Sequence, residues 1–475
     1  MRLFLVQWGG EEKELFDVAK ELQKSHEIVY WMQSREHFSL LRKDFPNAVF
    51  HDVRDALNGI PASGVDTSNF VKVDSNLLKR LLWAESFIMG MITKHHSDFT
   101  EAQKLEFYHE LLNYWKGMFD VLKPEAIIFP MTPHTAPDFI IYALARLHGI
   151  KTLMFYATEV SDRLLFMEDF TAGSALFERT AKEYQGKSFA LSDIPPDLHA
   201  YYRARAGGNY VTPLSLRLYK KDFKGKNFLL KKGRVLIESL RDLSLFPKAI
   251  RYISRQLGSN LKKEYERVSV EPDLTAKFVY LPLQYQPEAT TNPLGGIFMD
   301  QIRMVKTVSE ALPKDWFIYV KEHPSQWGRQ TTKFNFFRCK GYYDTLAKFP
   351  NVKIVPMNTK TEALSGGCQA VVTNTGTAGW EAALRLKPTI TFGYPWYMFC
   401  PSVFRVSDVA SAKQALTNIS RGFKPTEQAL INFLAALGHS SIHGYLEAHT
   451  KQLSKITKEE ATRNISEVLR EALIA

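Results

Sequence analysis

The chain has 475 residues, of which 45% are apolar and 13% aromatic, and it carries a formal net charge of +11. That length exceeds what one hydrophobic core supports and predicts two α/β domains with additional segments. No apolar run approaches the roughly 18 residues of a membrane span, and the start MRLFLVQWGGEE turns acidic too early for a secretory signal, so a cytoplasmic protein is expected.

The amino-terminal part alternates short apolar runs with amphipathic stretches. Strands are expected at Leu3 to Val6, Ile28 to Met32, Ala126 to Pro130 and Lys151 to Tyr156, with helices at Glu12 to Lys24, Glu101 to Leu122 and Pro137 to His148. Apolar strands separated by helices predict a parallel sheet covered on both faces, a doubly wound domain over residues 1–180. A second series covers residues 271–415. Its strands are Phe278 to Leu283, Trp316 to Val320, Val352 to Val355, Ala370 to Thr373 and Thr389 to Phe392, and its helices are Asp300 to Ala311 and Trp380 to Arg385. Residues 416–475 read as carboxyl-terminal helices packing back across the cleft. Two doubly wound domains facing each other leave that cleft at the carboxyl ends of their strands, where ligands of open α/β sheets bind.

Between the domains, residues 181–270 form a basic helical linker. From Arg217 to Arg267 there are 15 Lys/Arg against 5 Asp/Glu, nearly the whole excess of the chain. Leu236, Leu240, Leu243, Phe246, Ile250, Ile253 and Leu257 recur at steps of three or four, giving one apolar helical face. Two readings stand. The face packs on a domain and its charges are solvated, or the segment lies on an anionic inner-membrane surface, making the protein peripheral to that membrane. No nucleic-acid motif accompanies the charge, so nucleic acid is not expected as a partner.

The three cysteines, Cys339, Cys368 and Cys400, lack the spacing of a disulfide framework or a zinc site and read as reduced. Walker, nucleophile-elbow, zinc-protease and dinucleotide-binding motifs are all missing, which argues against ATP-dependent phosphoryl transfer, serine hydrolysis, zinc proteolysis and nicotinamide redox chemistry. No Asp-x-Asp occurs to hold a metal on a diphosphate, so neither metal nor cofactor is expected.

Two strand ends in the second domain carry the strongest signal. Tyr319-Val320-Lys321-Glu322-His323-Pro324 ends one strand, and strand alternation puts Lys321 and His323 on one face. His323 is placed to donate to a phosphate oxygen, though a structural histidine is the plainer alternative. Thr373-Asn374-Thr375-Gly376-Thr377-Ala378-Gly379-Trp380-Glu381-Ala382 joins strand to helix, a site of unpaired N–H groups and positive dipole. Thr375, Gly376 and Thr377 suit a phosphate. Glu381, one helical turn on, suits the vicinal hydroxyls of a ribose, or completes a capping box. A third turn, Gln284 to Gly296, offers Tyr285 or Gln286 to a base. In the first domain, His134, Asp138 and Glu159 are candidates for the base that deprotonates an acceptor hydroxyl. The plainer alternatives are a first-turn helix carboxylate for Asp138 and an ion pair with Arg163 for Glu159.

Tyr280-Leu-Pro-Leu-Gln-Tyr-Gln-Pro-Glu288, Val320-Lys-Glu-His-Pro324, Thr373 to Ala382 and Lys387-Pro-Thr-Ile390 resemble the capsular polysaccharide biosynthesis proteins. The resemblance covers mainly residues 278–400. It implies a GT-B architecture, two Rossmann-like domains about a cleft, and the group includes bacterial transferases that use CMP-activated Kdo. The implied reaction moves a sugar from a nucleotide-sugar donor, a CMP-sugar before a UDP- or GDP-sugar, to a hydroxyl of a growing surface glycan or its lipid-linked form. By the same resemblance His323, Thr375 and Thr377 hold the nucleotide phosphate and Glu381 the ribose, with Thr where many relatives have Ser. A teichoic-acid-type transferase using CDP-glycerol and a non-catalytic capsule-assembly partner are the alternatives.

Overall fold

In the chain's computed structural model, residues 1–9, 14–158, 160–206, 261–327, 337–446, 451 and 454–474 are described. Glu159 and most of the basic segment 217–267 lie outside them; of that segment only residues 261–267, within the helix Leu261–Val268, are described.

The amino-terminal lobe is built on strands β1 (Arg2–Val6), β2 (Glu27–Gln33), β3 (Val49–Asp52), β4 (Ala126–Ile128), β5 (Lys151–Ala157) and β6 (Arg163–Met167). Strand β1 pairs in parallel with β2 and β4, and the pairs β2/β3 and β4/β5 are also parallel. The expectation of a wholly parallel sheet fails at β6, which runs antiparallel to β5. Only five residues separate these two strands, too few for the crossover a parallel pair needs. The turn is closed by Thr158, whose N–H and hydroxyl both donate to the Arg163 carbonyl, at 3.1 and 3.0 Å.

Alternation along β1 sends its side chains to two cores. Phe4 and Val6 pack with Ile88, Trp115 and Phe139 from the helices Ser75–His95, Glu101–Leu122 and Ala136–His148. Leu3 and Leu5 pack with Leu15 and Val18 of the helix Glu14–Gln23 and with Ile465 and Leu469 of the helix Lys458–Ile474. The end of the chain therefore covers one face of the first sheet.

The second lobe holds β7 (Lys277–Pro282), β8 (Trp316–Lys321), β9 (Val352–Ile354), β10 (Ala370–Thr373), β11 (Thr389–Thr391) and β12 (Val403–Arg405), all parallel, in the order β12-β11-β10-β7-β8-β9. A short strand β13 (Ile442–His443) returns to pair with β6. The result is two Rossmann-like lobes in the GT-B arrangement.

Contacts of two kinds among the described residues tie the lobes near the cleft. Arg163, 3% exposed, makes a bidentate pair with Asp197 at 2.6 and 2.8 Å and reaches the Ser441 hydroxyl at 3.0 Å, joining β6 to the helices Pro196–Ala206 and Glu427–Ser440. Across the cleft, Asn292 Nδ2 donates to the Phe87 carbonyl at 2.9 Å, and Gly90 opposite has no room for a side chain because a methyl there would stand 2.7 Å from the same nitrogen. The carboxyl end of the helix Ser75–His95 thereby faces the turn after β7.

Candidate functional site

Strand β7 lies between β8 and β10, so the turns that follow these three strands converge. With adjacent strands about 4.8 Å apart, the ends of β8 and β10 stand roughly 10 Å from each other, a span suited to a nucleotide's phosphate and ribose.

His323 lies just past β8 and is half-buried. Its Nδ1 accepts from the Ser325 N–H at 3.2 Å, so in the neutral ring Nε2 carries the proton and is the donor. Burial lowers its pKa; Arg338 acts in the same direction and Glu322 opposes it. The ring of Tyr285 stands 5.9 Å from it, from the turn after β7.

Lys321 does something other than the alternation suggests. Strand β8 ends at Lys321, and its buried ammonium donates to the Thr359 carbonyl and, at 3.2 Å, to the Thr361 hydroxyl. Burial depresses its pKa. It secures the start of the helix Thr361–Gly367 instead of sharing a ligand-facing surface with His323.

The turn after β10 is folded partly inward. The Thr375 hydroxyl donates to the Thr290 carbonyl, and with its amide oxygen facing this turn Gln284 accepts from the N–H of Gly376 and, at 3.0 Å, from that of Thr375. Gly376 has no room for a side chain, because a methyl there would stand 2.6 Å from the Gln284 amide. The helix Thr377–Leu384 starts on Gly376 with no side-chain cap, so the capping box is not formed; of its first-turn N–H groups, that of Gly379 donates to the Gly376 carbonyl at 3.1 Å. Thr377 is exposed beside them. Glu381, one turn further, has a side chain 13% exposed, with Arg205 Nη1 at 3.8 Å from its Oε1. Burial raises its pKa against the pull of Arg385 and Arg205.

Gln286 is occupied. Its Nε2 donates to the Met299 carbonyl at 2.9 Å, and its Oε1 accepts from Gln301 at 3.1 Å and from Arg338. Both polar atoms of that amide are thus engaged within the lobe. It belongs to a network centred on Arg338, which the sequence reading missed. Arg338 and Glu322 are an ion pair with both side chains fully buried, at 2.8 and 3.3 Å. Arg338 also donates to the Gln284 carbonyl at 3.0 Å and lies over the Tyr342 ring, while the Tyr343 hydroxyl donates to Glu322 at 2.6 Å. Burial alone would depress the Arg338 pKa, but the Glu322 carboxylate outweighs it and the net shift is upward. This pair braces the turn after β7 and the residue preceding His323 from behind.

On the opposite wall, Asp138 is 3% exposed in the first turn of Ala136–His148 and accepts from Gln7 Nε2 at 2.6 Å. Burial raises its pKa, with His134 and these hydrogen bonds opposing. His134 Nδ1 lies 3.1 Å from the Thr132 carbonyl, which can only accept, so Nδ1 holds the ring proton and Nε2 is basic. The two histidines of the cleft thus have opposite tautomers.

Lys94, His95 and Glu288 complete this region. Burial lowers the Lys94 pKa, with Glu288 and Asp138 opposing, and His95 is held down to about 4, first by its surroundings and then by Lys94, His96 and His134. Glu288 is open to solvent, yet both lobes crowd it and raise its pKa, with Thr290 and Lys94 opposing. Its Oε2 accepts from the Thr290 hydroxyl at 3.1 Å, which links it to Thr375. Glu288 and Lys94 were not singled out from the sequence; a carboxylate just past the central strand of the second lobe was the available signal. The ion pair weighed for Glu159 has a competitor in the Arg163–Asp197 pair already described.

The sequence profile of a family described as "Capsule polysaccharide biosynthesis protein" matches residues 270–401. No curated protein matches the chain. Among solved structures it is similar to the β-Kdo 2,7 transferase KpsC of Thermosulfurimonas dismutans, with 13% identity over 82% of this chain and 97% of that one and a TM-score of 0.30. It is similar to the β-Kdo 2,4 transferase KpsC of the same organism, with 14% identity over 66% and 87% and a TM-score of 0.28. The UDP-GlcNAc 2-epimerase of Methanocaldococcus jannaschii gives 12% identity over 92% and 98% and a TM-score of 0.26. These likenesses are too distant to carry the chemistry of the site.

Proposed function

We propose that the chain is a glycosyltransferase that moves a sugar from a nucleotide donor, a CMP-sugar by preference, to a hydroxyl of a bacterial surface polysaccharide or its lipid-linked acceptor. The observation that carries this reading is the contact each cleft histidine makes through Nδ1, from the Ser325 N–H for His323 and with the Thr132 carbonyl for His134, which assigns the two rings opposite tautomers. His323 presents an N–H donor in the lobe that also holds the uncapped helix end, and His134 presents a basic nitrogen from the facing lobe.

In this reading the donor phosphate is held by His323 Nε2–H, the N–H groups of Thr377 and Ala378 and the Thr377 hydroxyl, which together stabilise charge as the phosphate leaves. Glu381 accepts from the ribose hydroxyls. His134 Nε2 takes the acceptor proton as the new bond forms, and the nearby Asp138 carboxylate favours the resulting imidazolium. The family profile over residues 270–401 supports the capsular context. Segment 217–267, with its excess of positive charge, would hold the enzyme near a lipid-linked acceptor at an anionic membrane, and salt-sensitive flotation with anionic liposomes tests that role.

Thermal-shift titration with CMP, UDP, GDP and CDP-glycerol tests the donor. A ligand present at 100 times its Kd stabilises by about 2.7 kcal/mol. CMP is expected to give the largest shift. A dominant UDP or GDP shift would overturn the CMP assignment, a dominant CDP-glycerol shift would favour polyol-phosphate transfer, and no shift with any of them would overturn nucleotide binding.

A further inference from the structure

Gln7 stands just past the carboxyl end of β1, the strand between β4 and β2, in the left-handed region at φ +53°. That conformation is strained for a residue with a Cβ, and among the described residues only four non-glycines adopt a positive φ. Lys123 and Leu386 close helices, its ordinary use, and Ser161 lies in the tight turn between β5 and β6. Gln7 ends a strand and closes no helix. Its side chain instead crosses to the turn after the neighbouring strand β4.

The crossing fixes the amide. Nε2 donates to Asp138 Oδ2 at 2.6 Å and to the Thr135 hydroxyl at 3.3 Å. An ionised carboxylate only accepts, so the NH2 end of the amide meets Asp138 and the oxygen is turned away from it. Asp138 is 3% exposed and its Oδ1 has no partner among the described residues, so the carboxylate is gripped by one oxygen alone. Gln7 Oε1 makes no hydrogen bond among the described residues. It is not one of their sealed polar atoms either, and the residue is half-buried, so this oxygen remains open to a partner from the cleft.

We propose that Gln7 is an acceptor-positioning residue, whose Oε1 accepts from a hydroxyl of the acceptor sugar next to the hydroxyl that attacks; the inference rests on the transferase reading above. The chemistry selects the group. An amide oxygen can only accept, so its partner must donate, which a sugar hydroxyl does and a carboxylate or phosphate does not.

The place agrees with the chemistry. Thr135, in contact with the Gln7 amide, directly follows His134, and consecutive Cα atoms stand about 3.8 Å apart. Gln7 and His134 are therefore neighbours at the ends of the paired strands β1 and β4, on the edge of the sheet that faces the cleft. Two adjacent hydroxyls of one sugar ring can meet them together. An amide already held by Asp138 and Thr135 loses little freedom on binding, so the second contact orients the attacking hydroxyl at small cost. The acceptor is thus a sugar with a free hydroxyl beside the one attacked.

The test uses the full chain with CMP present, on a microarray of bacterial oligosaccharides and then on the monodeoxy analogues of the tightest binder, for wild type, Gln7→Leu and Gln7→Gly. Gln7→Gly removes the same amide from a residue that adopts φ +53° without strain, and so separates a lost contact from a disturbed fold. Wild type is expected to lose about tenfold when one particular hydroxyl is missing. Both variants should bind the parent glycan about tenfold more weakly than wild type and should bind that analogue and the parent alike. A Gln7 that only buttressed Asp138 would weaken every analogue by one factor and leave the preference for the parent intact. That pattern overturns the inference, as do variants that bind the parent as tightly as wild type, or a wild type that binds no glycan. A CMP thermal shift on the same preparations keeps the two readings apart. Any of those results with the CMP shift retained leaves the donor reading standing, whereas a hydroxyl coupled to Gln7 in a chain that shows no CMP shift sinks the donor reading alone.

Discussion

Arg338→Ala is expected to weaken the second lobe and the proposed nucleotide site together. Arg338 and Glu322 are both fully buried, and Arg338 holds Gln284, Gln286 and Tyr342 besides its carboxylate partner. Removing the guanidinium leaves Glu322 charged in the interior, still accepting from the Tyr343 hydroxyl and the His323 N–H. Breaking a buried pair from one side costs about 3–5 kcal/mol. At ~2–4 °C per kcal/mol for a lobe of this size, the second lobe should melt roughly 6–20 °C lower. Scanning calorimetry of the full chain reads the shift, and a CMP titration of the same protein reads the site, whose affinity should fall because the turn after β7 loses its brace. The double variant Arg338→Met with Glu322→Gln should recover much of the loss, since no uncompensated charge remains. If Arg338→Ala melts within about 2 °C of wild type, or the double variant is no better than the single, the buried pair does not hold the site as argued.

Three further outcomes follow from the geometry. His323→Ala should weaken CMP binding about tenfold to a hundredfold, the worth of a hydrogen bond to a charged group, with little change in melting of the unliganded protein; isothermal titration checks both affinity and stoichiometry. Thr375→Val should lower the melting point because its hydroxyl is committed to the Thr290 carbonyl, whereas exposed Thr377→Val should leave melting alone and reduce only nucleotide affinity. Asp138→Asn bears on pH. A carboxyl whose folded pKa is raised favours the folded state below its unfolded pKa near 3.8 and loses that contribution as pH rises through the folded value. The variant should therefore melt higher than wild type at pH 8 and show no such advantage at pH 4, and equal differences at both would refute a buried, strained carboxylate.

The strands that a single sequence reveals best are those buried on both faces. β1, β7, β8 and β10 are short unbroken apolar runs, and their positions follow from that alone. Harder to read were β6, whose direction depends on the length of a turn, and the helix Ser75–His95, whose polar face breaks the apolar pattern and whose start is marked by one capping bond, from the Leu77 N–H to Asp74 at 2.7 Å. That helix brings Lys94 and His95 to the cleft.

For the site, local pattern identified where His323, Thr375, Thr377 and Glu381 stand in the chain, because strand ends and helix starts are written in nearest-neighbour chemistry. It did not show what each side chain does. Lys321 and Gln286 are polar residues next to the motifs, yet the interior takes up their hydrogen bonds, and only three-dimensional packing decides whether a polar atom faces a ligand or a carbonyl. The same holds for the two histidine tautomers, which depend on the Ser325 N–H and the Thr132 carbonyl. By itself the sequence determined two α/β lobes and the two turns of the proposed donor site. The tertiary structure alone decided which residues meet, within a lobe as for Gln7 and Asp138 or across the cleft as for Phe87 and Asn292, since these partners are far apart in the chain and share no local pattern.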